Sequence, residues 1–262
     1  MQTKQSALVL VTGSAGRIGR AVVRELKARG RPVRGFDLVP TPDADDGIVG
    51  DITDAPLVRR AMEGVGSLIH LAAVPDDDDF ETKLAPSNVI GVYQVLEAAR
   101  QAGVRRLVLG SSGQVVWWQR FSGPLPITTD APPTPRGWYA ATKVFLEAAG
   151  RAFAEAHGLT VVAVRLGWCP RDREHVAELA RTEWGPDVYL SPGDAGRFFA
   201  CAVEAPASFR FAVIYACSRP VRQVVYDLSP SRTLLGYEPQ DTWPQGIEVI
   251  EGAVVPGRAV GP

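Results

Sequence analysis

The sequence predicts an α/β fold built on a doubly wound parallel sheet, with a small C-terminal lobe. Short apolar runs alternate with amphipathic helical stretches up to residue 165, the first run ends in a glycine-rich turn, and the alternation becomes irregular afterwards. Strands that alternate with helices require right-handed crossovers, which make the strands parallel. We therefore expect residues 1–165 to form the sheet domain, 166–246 the lobe and 247–262 a tail.

Composition limits the classes of protein to which this chain can belong. The chain has 262 residues, of which 46% are hydrophobic, enough to bury one large core. Its net charge of -1 gives no bulk attraction to nucleic acid or to an anionic membrane, so we expect neither as a partner. Cys169, Cys201 and Cys217 are widely spaced, so neither a metal site nor a disulfide is predicted. The apolar runs are too short for a signal sequence or a membrane span, and we expect a soluble, cytoplasmic protein.

The first strand, over residues 8–11, leads into glycines spaced three apart and then into a helix. A side chain at Gly13 or Gly16 would keep the backbone away from a pyrophosphate, and one at Gly19 would push the helix off the sheet. Backbone N–H groups and the positive end of the helix dipole then face the phosphates. The alternative is a simple strand-to-helix turn. The residues assigned here to a dinucleotide are Gly13, Ala15, Gly16, Arg17, Ile18 and Gly19.

The second strand, over residues 33–36, indicates which dinucleotide is bound. Asp37 ends this strand about twenty residues after the glycines, where a carboxylate accepts hydrogen bonds from an adenosine ribose diol. The same carboxylate repels a 2′-phosphate, which favours NAD over NADP. Arg17 and Arg34 leave NADP open.

The third and fourth strands, over residues 48–50 and 67–71, supply further cofactor contacts. Asp51 is predicted either to meet the adenine amino group or to cap the helix that runs to about residue 62. Small residues after the fourth strand let a cofactor approach the backbone. The run of aspartates over residues 76–79 is predicted as a solvated loop rather than a metal site, because adjacent carboxylates repel. The cofactor residues in this part are Asp51, Ile52, Leu71, Ala72, Ala73 and Asn88, the last of which begins a helix over residues 88–102.

The fifth strand, over residues 107–109, leads into Ser111 and Ser112, and a segment rich in aromatic residues and proline follows. In that segment, Trp117 and Trp118 precede Gln119 and Arg120. The two tryptophans either form the floor of a sugar site or divide between core and surface, and the sequence leaves both open. A sixth strand is predicted over residues 161–164, and a helix over residues 194–204.

Tyr139 and Lys143 carry the predicted chemistry. They are four residues apart on a helix over residues 138–156, so both side chains project from one helical face. A free phenol has a pKa of about 10 and is scarcely ionised at neutral pH. A nearby ammonium, helped by a positive nicotinamide ring, lowers that pKa, so that Tyr139 can take a hydroxyl proton while Lys143 also holds the nicotinamide ribose.

The ordered set of motifs resembles the extended short-chain dehydrogenase/reductase superfamily, in its NAD-dependent epimerase/dehydratase group. The resemblance implies a Rossmann sheet, NAD as the cofactor, Tyr139 as the catalytic base, Lys143 as its partner and a serine as the third member. The superfamily often has its Ser or Thr at the position of Gly113, so Ser112 is the candidate here, with Ser111 behind it. The motifs are residues 12–19, Asp37, residues 50–51 and 70–73, Asn88, residues 111–112, Tyr139 to Lys143 and residues 235–239.

Within this group the chain is most similar to the uronate dehydrogenases, through its short length, its paired serines and the turn over residues 165–169. That family oxidises the anomeric carbon of a hexuronate with NAD. Its substrate residues are changed at Pro75, Gly113, Gln114 and Trp168, which implies the same reaction class on a different substrate. Arg171, Arg173 and Arg181 are available to a substrate carboxylate. The substrate residues predicted are Pro75, Ser111, Ser112, Gly113, Gln114, Tyr139, Trp168 and Arg173.

Three functions follow from these observations. The first is an NAD-dependent oxidoreductase that oxidises a hydroxyl of a sugar, sugar acid or similar small polyol. The second is a nucleotide-sugar epimerase or dehydratase with tightly bound NAD. The third is a non-catalytic nucleotide-sensing module, against which the paired Tyr139 and Lys143 argue. The resemblance also implies a homodimer, or a higher homo-oligomer, formed through the helices over residues 88–102 and 138–156.

Overall fold

A parallel sheet of seven strands forms the centre of the part of the chain that the structure describes. The computed structural model describes residues 7–206 and 208–247. The strands lie in the order β3-β2-β1-β4-β5-β6-β7, and each neighbouring pair is parallel. The predicted doubly wound sheet is confirmed. The strands are β1 (Leu8–Thr12), β2 (Val33–Asp37), β3 (Asp46–Val49), β4 (Val65–His70), β5 (Arg106–Ser112), β6 (Thr160–Leu166) and β7 (Phe211–Ala216).

Helices cover both faces of this sheet. Side chains alternate along a strand, so Val9 and Val11 of β1 lie in one apolar core while Leu10 lies in the other. Helices α1 and α7 pack on the first face, and α2, α3 and α5 pack on the second. The helices are α1 (Arg17–Ala28), α2 (Ala55–Ala61), α3 (Gly91–Gln101), α4 (Gln119–Ser122), α5 (Trp138–His157), α6 (Arg173–Arg181), α7 (Pro192–Glu204) and α8 (Ser229–Leu235).

Two elements near the cavity extend further than their sequence patterns predict. Strand β5 continues to Ser112, because Ser111 and Ser112 pair with Arg165 and Leu166 of β6. Backbone hydrogen bonds to a neighbouring strand therefore extend β5 beyond its apolar run. The helix predicted from residue 88 is preceded by a π-helical segment, Phe80–Ile90, which continues directly into α3.

The range 166–246, predicted as a lobe, contains part of the sheet domain. Strand β7 was not predicted, yet it pairs with β6 over residues 211–216. Helix α7 begins at Pro192, two residues before the predicted start, and the Ser191 hydroxyl caps it by accepting a hydrogen bond from the Asp194 N–H at 2.8 Å. The lobe therefore includes elements that complete the core. Of the predicted tail, residues 248–262 lie outside the described residues.

Several features bear on partners and metals. Within residues 7–206 and 208–247, no helix combines the length and apolarity needed to span a membrane. The same residues contain no cluster of three or more His, Cys, Asp or Glu side chains suited to a metal ion. The three cysteines have free thiols. The exposed side chains of α3 and α5 include Tyr93 and Phe145, and oligomerisation through these helices stays a prediction.

Candidate active site

A cavity of about 710 Å³ opens at the carboxyl ends of the central strands. The chain order around β1 and β4 reverses there, which is where doubly wound sheets bind ligands. Elements from the first strand to the loop after β7 contribute to its walls. The predicted site residues that line this cavity are Gly13, Gly16, Arg17, Ile18, Gly19, Leu71, Ala73, Pro75, Ser111, Ser112, Gly113, Gln114, Tyr139, Lys143 and Trp168.

Four of the predicted cofactor residues do not line the cavity and contact other parts of the protein instead. They are Ala15, Asp37, Asp51 and Ile52. The Asp37 carboxylate accepts a hydrogen bond from the Ala15 N–H at 2.9 Å, which fixes the glycine turn against the end of β2. The Asp51 carboxylate accepts one from the Thr53 N–H at 2.8 Å. That bond forms a turn before α2. The capping role offered for Asp51 is wrong, because α2 is capped by Asp54, whose carboxylate accepts a hydrogen bond from the Leu57 N–H at 3.1 Å. Ile52 is buried in the apolar core.

Three other predicted residues lie away from the cavity wall. Asn88 is buried and holds the loop after β4, because its amide exchanges hydrogen bonds with the Val74 backbone at 2.8 and 3.0 Å. Ala72 is half-buried next to the glycine turn. Arg173, predicted as a substrate ligand, is exposed at the start of α6. Arg171, two residues earlier, lines the cavity instead, because the loop before α6 passes over it.

The glycine turn is built for close backbone approach. Gly13 has a φ of +69°, and a Cβ there would lie 2.6 Å from the Ala72 backbone nitrogen at the end of the neighbouring strand. A Cβ on Gly19 would lie 2.0 Å from the Gly13 carbonyl oxygen, so α1 packs directly on the turn. Gly16 begins α1 without a side-chain cap. The first N–H groups of α1 are therefore available to an anion.

Arg17 tests whether these residues fit a dinucleotide. All three nitrogens of its guanidinium are buried, and none has an oxygen partner among the described residues; the thiol of Cys169 lies near the group and is neutral, because burial raises the pKa of Cys169 to about 11. The group lies in the cavity wall in the first turn of α1. A buried, unpaired cation is costly, and a pyrophosphate on the helix N-terminus supplies the missing negative charge. The site therefore fits NAD.

Replacing Arg17 with methionine should weaken NAD binding by about 10- to 100-fold, the range expected for a lost charge-assisted hydrogen bond. The same change should slightly raise the Tm without nucleotide, because it removes an unpaired buried cation. Titration calorimetry and thermal melts measure the two effects. Arg20→Met is the matched control, because Arg20 is exposed on the same helix. An unchanged Kd in Arg17→Met would remove Arg17 from the cofactor site.

Tyr139, Lys143 and Ser112 come together on one wall of the cavity. The Lys143 ammonium donates a hydrogen bond to the Gly110 carbonyl oxygen at 2.9 Å and lies 5.5 Å from the centroid of the Tyr139 ring. The Ser112 hydroxyl accepts a hydrogen bond from the Gln114 N–H at 3.1 Å, and it is close enough to the phenol to lower the pKa of Tyr139. Helix α5 thus presents the two predicted groups to the end of β5.

The pKa of Tyr139 differs from the expectation. Burial raises the pKa of Tyr139 to about 12, with a further contribution from the Asp76 carboxylate, while Ser112 and Arg171 act in the opposite direction. Burial lowers the pKa of Lys143 to about 8. The groups that lower the phenol pKa in this structure are therefore Ser112 and Arg171 rather than the predicted Lys143, and burial outweighs both.

The aspartate run was predicted as a solvated loop, but two of its members reach the site. The Asp77 carboxylate accepts a hydrogen bond from the Tyr139 N–H at 2.7 Å and so caps α5. Gly137 leaves room for it, since a Cβ there would lie 2.2 Å from a carboxylate oxygen of Asp77. Asp76 pairs with Arg171 across the cavity. The absence of a capping side chain in the sequence of α5 was the available signal.

The two serines of β5 have different surroundings. Ser111 donates a hydrogen bond to the Glu147 carboxylate at 2.6 Å, and Arg165 binds the same carboxylate through two nitrogens at 3.0 and 2.9 Å. The Ser111 hydroxyl is therefore committed to a buried ion pair. Ser112 is the serine whose hydroxyl meets Tyr139. This supports Ser112 as the third member of the site.

Aromatic side chains form a further wall of the cavity and decide the role of Trp117 and Trp118, for which the sequence offered two alternatives. Trp117 lines the cavity with Trp168 and Trp184. Trp118 is 54% exposed and does not line it, so the adjacent pair divides between site and surface. The ring centroids of Trp117 and Trp184 are 5.4 Å apart, and those of Trp168 and Trp184 are 5.7 Å apart. Trp184 was not predicted, because it is far from the other two in sequence.

Comparisons with known proteins agree with this geometry. Residues 9–168 match the model of the NAD dependent epimerase/dehydratase family. The chain is 32% identical over 260 residues to L-arabinose 1-dehydrogenase (NAD(P)(+)) of Haloferax volcanii, a match covering 90% of this chain and 97% of that one. It is 29% identical over 250 residues to the NAD-dependent glucose-6-phosphate dehydrogenase of the same organism, covering 89% and 93%. The solved structure of a uronate dehydrogenase mutant from Agrobacterium tumefaciens complexed with NAD superposes with a TM-score of 0.77 at 26% identity, over 90% of this chain and 85% of that one.

The chain belongs to the NAD-dependent epimerase/dehydratase family, within the extended short-chain dehydrogenases/reductases. Its cofactor is NAD, as the glycine turn predicted. It is an NAD-dependent dehydrogenase of that family, acting on CH–OH groups. The family prediction from the sequence is confirmed, and a purely sensing role is not supported.

Proposed function

We propose that this protein oxidises a hydroxyl group of a small sugar or sugar acid with NAD. The observation that carries the proposal is the meeting of Tyr139, Ser112 and Lys143 in one cavity with the glycine turn. The similar proteins bear the names of an arabinose, a glucose 6-phosphate and a uronate dehydrogenase, which supports a sugar as the substrate.

The chain's own residues have separate roles in this reaction. The glycine turn and Arg17 would hold the pyrophosphate, and Asp37, at the end of β2 beside the turn, would bind the adenosine ribose. Bound NAD⁺ supplies the hydride acceptor and a positive ring. Ser112 donates a hydrogen bond to the reacting oxygen, and Tyr139 takes the hydroxyl proton. Lys143 keeps a positive charge below a pH of about 8, which favours the Tyr139 phenolate.

The neighbourhood of Gly113 shapes the substrate side. A Cβ at this position would lie 2.5 Å from the hydroxyl oxygen of Tyr226, a cavity residue. The Tyr226 phenol thus occupies the space that a serine side chain at position 113 would need. This supports Ser112 as the hydrogen-bond donor and a substrate pocket shaped differently from that of the uronate dehydrogenases.

The test is NADH formation, followed by absorbance, from NAD with neutral aldoses, hexuronates, hexose phosphates and polyols. We expect turnover with a sugar class, and at least about tenfold faster turnover with NAD than with NADP, because Asp37 repels a 2′-phosphate. If none of these compounds gave NADH although nucleotide stayed bound to the purified protein, net oxidation would be contradicted. That result would direct attention to nucleotide-sugar epimerisation or dehydration.

A further inference from the structure

Arg120 packs against two nearly perpendicular indole rings in the cavity wall. Its guanidinium carbon lies 4.0 Å from the centroid of the Trp117 ring and 3.8 Å from that of Trp184. Its Nε donates a hydrogen bond to the Trp117 carbonyl oxygen at 3.2 Å. The two rings are nearly perpendicular, with an interplanar angle of 85°, so the guanidinium lies in the corner between them. These contacts and the hydrogen bond restrain its orientation, and its remaining N–H donors are left for other partners.

The positive charge of Arg120 has no carboxylate partner among the described residues. Its Nη1 is buried and has no hydrogen-bond partner there. A second cation lies beside it, since the Arg136 guanidinium carbon is 4.4 Å from the centroid of the same Trp117 ring. By contrast, Arg165 and Arg171 are paired with Glu147 and Asp76. A buried cation with another cation nearby is costly unless an anion binds.

The surroundings of Arg120 place it with the substrate rather than with the cofactor. The contacts of its guanidinium come from Trp117, Phe121 and Trp184, whereas the glycine turn and Arg17 belong to the end of β1 and the start of α1. Arg120 is also close enough to Tyr226 for each to affect the ionisation of the other. The Tyr226 hydroxyl abuts Gly113, the residue after Ser112. Arg120 therefore belongs to the side of the cavity that Ser112 and Gly113 border.

We propose that Arg120, assisted by Arg136, binds an anionic group of the sugar, a carboxylate or a phosphate, at the end remote from the oxidised hydroxyl. This inference rests on the proposed function and narrows its substrate class. The names of the similar proteins include a neutral sugar, a sugar phosphate and a uronate, so they leave the substrate charge open. The edge of a guanidinium suits both anions, because it can bind two oxygens at once.

Matched sugars test the proposal by kinetics. Glucose, glucuronate and glucose 6-phosphate share their ring stereochemistry and differ in the group at carbon six, and the corresponding galactose series gives a second set. We expect the wild type to prefer an anionic sugar, and the preferred sugar shows whether the bound group is a carboxylate or a phosphate. Arg120→Met should lower kcat/KM for the preferred anionic sugar by about 10- to 100-fold, mainly by raising KM. The kcat/KM for the neutral sugar should change by less than about threefold.

Two further variants separate recognition from packing. Arg120→Lys retains the charge but loses the planar guanidinium and its paired donors, so we expect an intermediate loss of kcat/KM for the anionic sugar. Arg59→Met is the control, because Arg59 is exposed on α2 outside the cavity. An equal loss for all three sugars in Arg120→Met would show a packing role and overturn the proposal. A wild type that prefers the neutral sugar would also overturn it, while leaving the proposed function intact.

A binding measurement keeps the inference testable if no sugar is oxidised. Inorganic phosphate and acetate are titrated separately into protein saturated with NADH, so that the glycine turn is occupied. Tryptophan fluorescence reports binding, because Trp117 and Trp184 flank the site. The absence of NADH formation from every sugar would refute the proposed function. Loss of phosphate or acetate binding in Arg120→Met would still support the anion site, and equal binding by the wild type and Arg120→Met would overturn it.

Discussion

Replacing Tyr139 with phenylalanine should lower kcat by about 10³-fold, within the range for removal of a general base. At the pKa of about 12 that burial gives this phenol, a fraction on the order of 10⁻⁵ is ionised at neutral pH, so oxidation depends on cations that favour the phenolate. Kd for NAD should change little, because the ring remains in the cavity wall. Steady-state NADH formation and calorimetric titration of NAD measure the two quantities.

Tyr93→Phe is the matched control for this substitution. Tyr93 is 54% exposed on α3, so the same change of one hydroxyl should leave kcat within about twofold. The rate of the wild type should rise with pH up to about 8, as proton removal by Tyr139 becomes easier, and should stop rising above that pH because Lys143 then loses the charge that favours the phenolate. A Tyr139→Phe enzyme that kept more than about a tenth of wild-type kcat would assign proton removal to another group.

The sequence was sufficient for those features whose physical cause is local. The apolar run of β1 and the glycines after it predict a strand, a turn and a helix within a few residues, and all three are present. Tyr139 and Lys143 share a helical face, so their proximity follows from the period of the helix. The family resemblance predicted Ser112 as the third member of the site. Its proximity to Tyr139 follows only from the folded structure, in which the end of β5 approaches α5.

The features that sequence analysis missed depend on contacts between distant segments. Strand β7 is stabilised by pairing with β6, and its six residues lie in a region broken by prolines. The role of Asp77 requires the start of α5 to approach a loop 62 residues earlier in the chain. Arg120 packs against two rings, and one of them comes from beyond β6. No periodicity or spacing records such contacts.

Four arginines in or near the cavity wall divide into two groups by their partners. Arg165 and Arg171 have carboxylate partners. Arg17 and Arg120 have buried guanidinium nitrogens without a hydrogen-bond partner among the described residues. Since a protein interior rarely leaves such donors unmatched, the second group indicates where ligand charge belongs. We propose that Arg17 meets the cofactor pyrophosphate and that Arg120 meets the anionic group of the substrate.

The ion pair between Glu147 and Arg165 carries the largest expected effect on stability. The side chains are 9% and 3% exposed, and Ser111 donates a hydrogen bond to the same carboxylate. Glu147→Leu should lower the free energy of unfolding by about 3–5 kcal/mol, because it leaves the Arg165 guanidinium buried without its partner. Chemical denaturation measures the change.

A double variant distinguishes the loss of a partner from the intrinsic value of the pair. Glu147→Leu with Arg165→Met removes both charges, and stability should recover by at least about 1–2 kcal/mol relative to Glu147→Leu, because two apolar side chains can replace a buried ion pair. Glu238→Ala is the control, since Glu238 and Arg232 form an exposed pair, with side chains 63% and 51% exposed. Its loss should stay below about 1 kcal/mol. If Glu147→Leu lowered the free energy of unfolding no more than Glu238→Ala, the buried ion pair would have no structural role. The different surroundings of Ser111 and Ser112 at the end of β5 would then need another explanation.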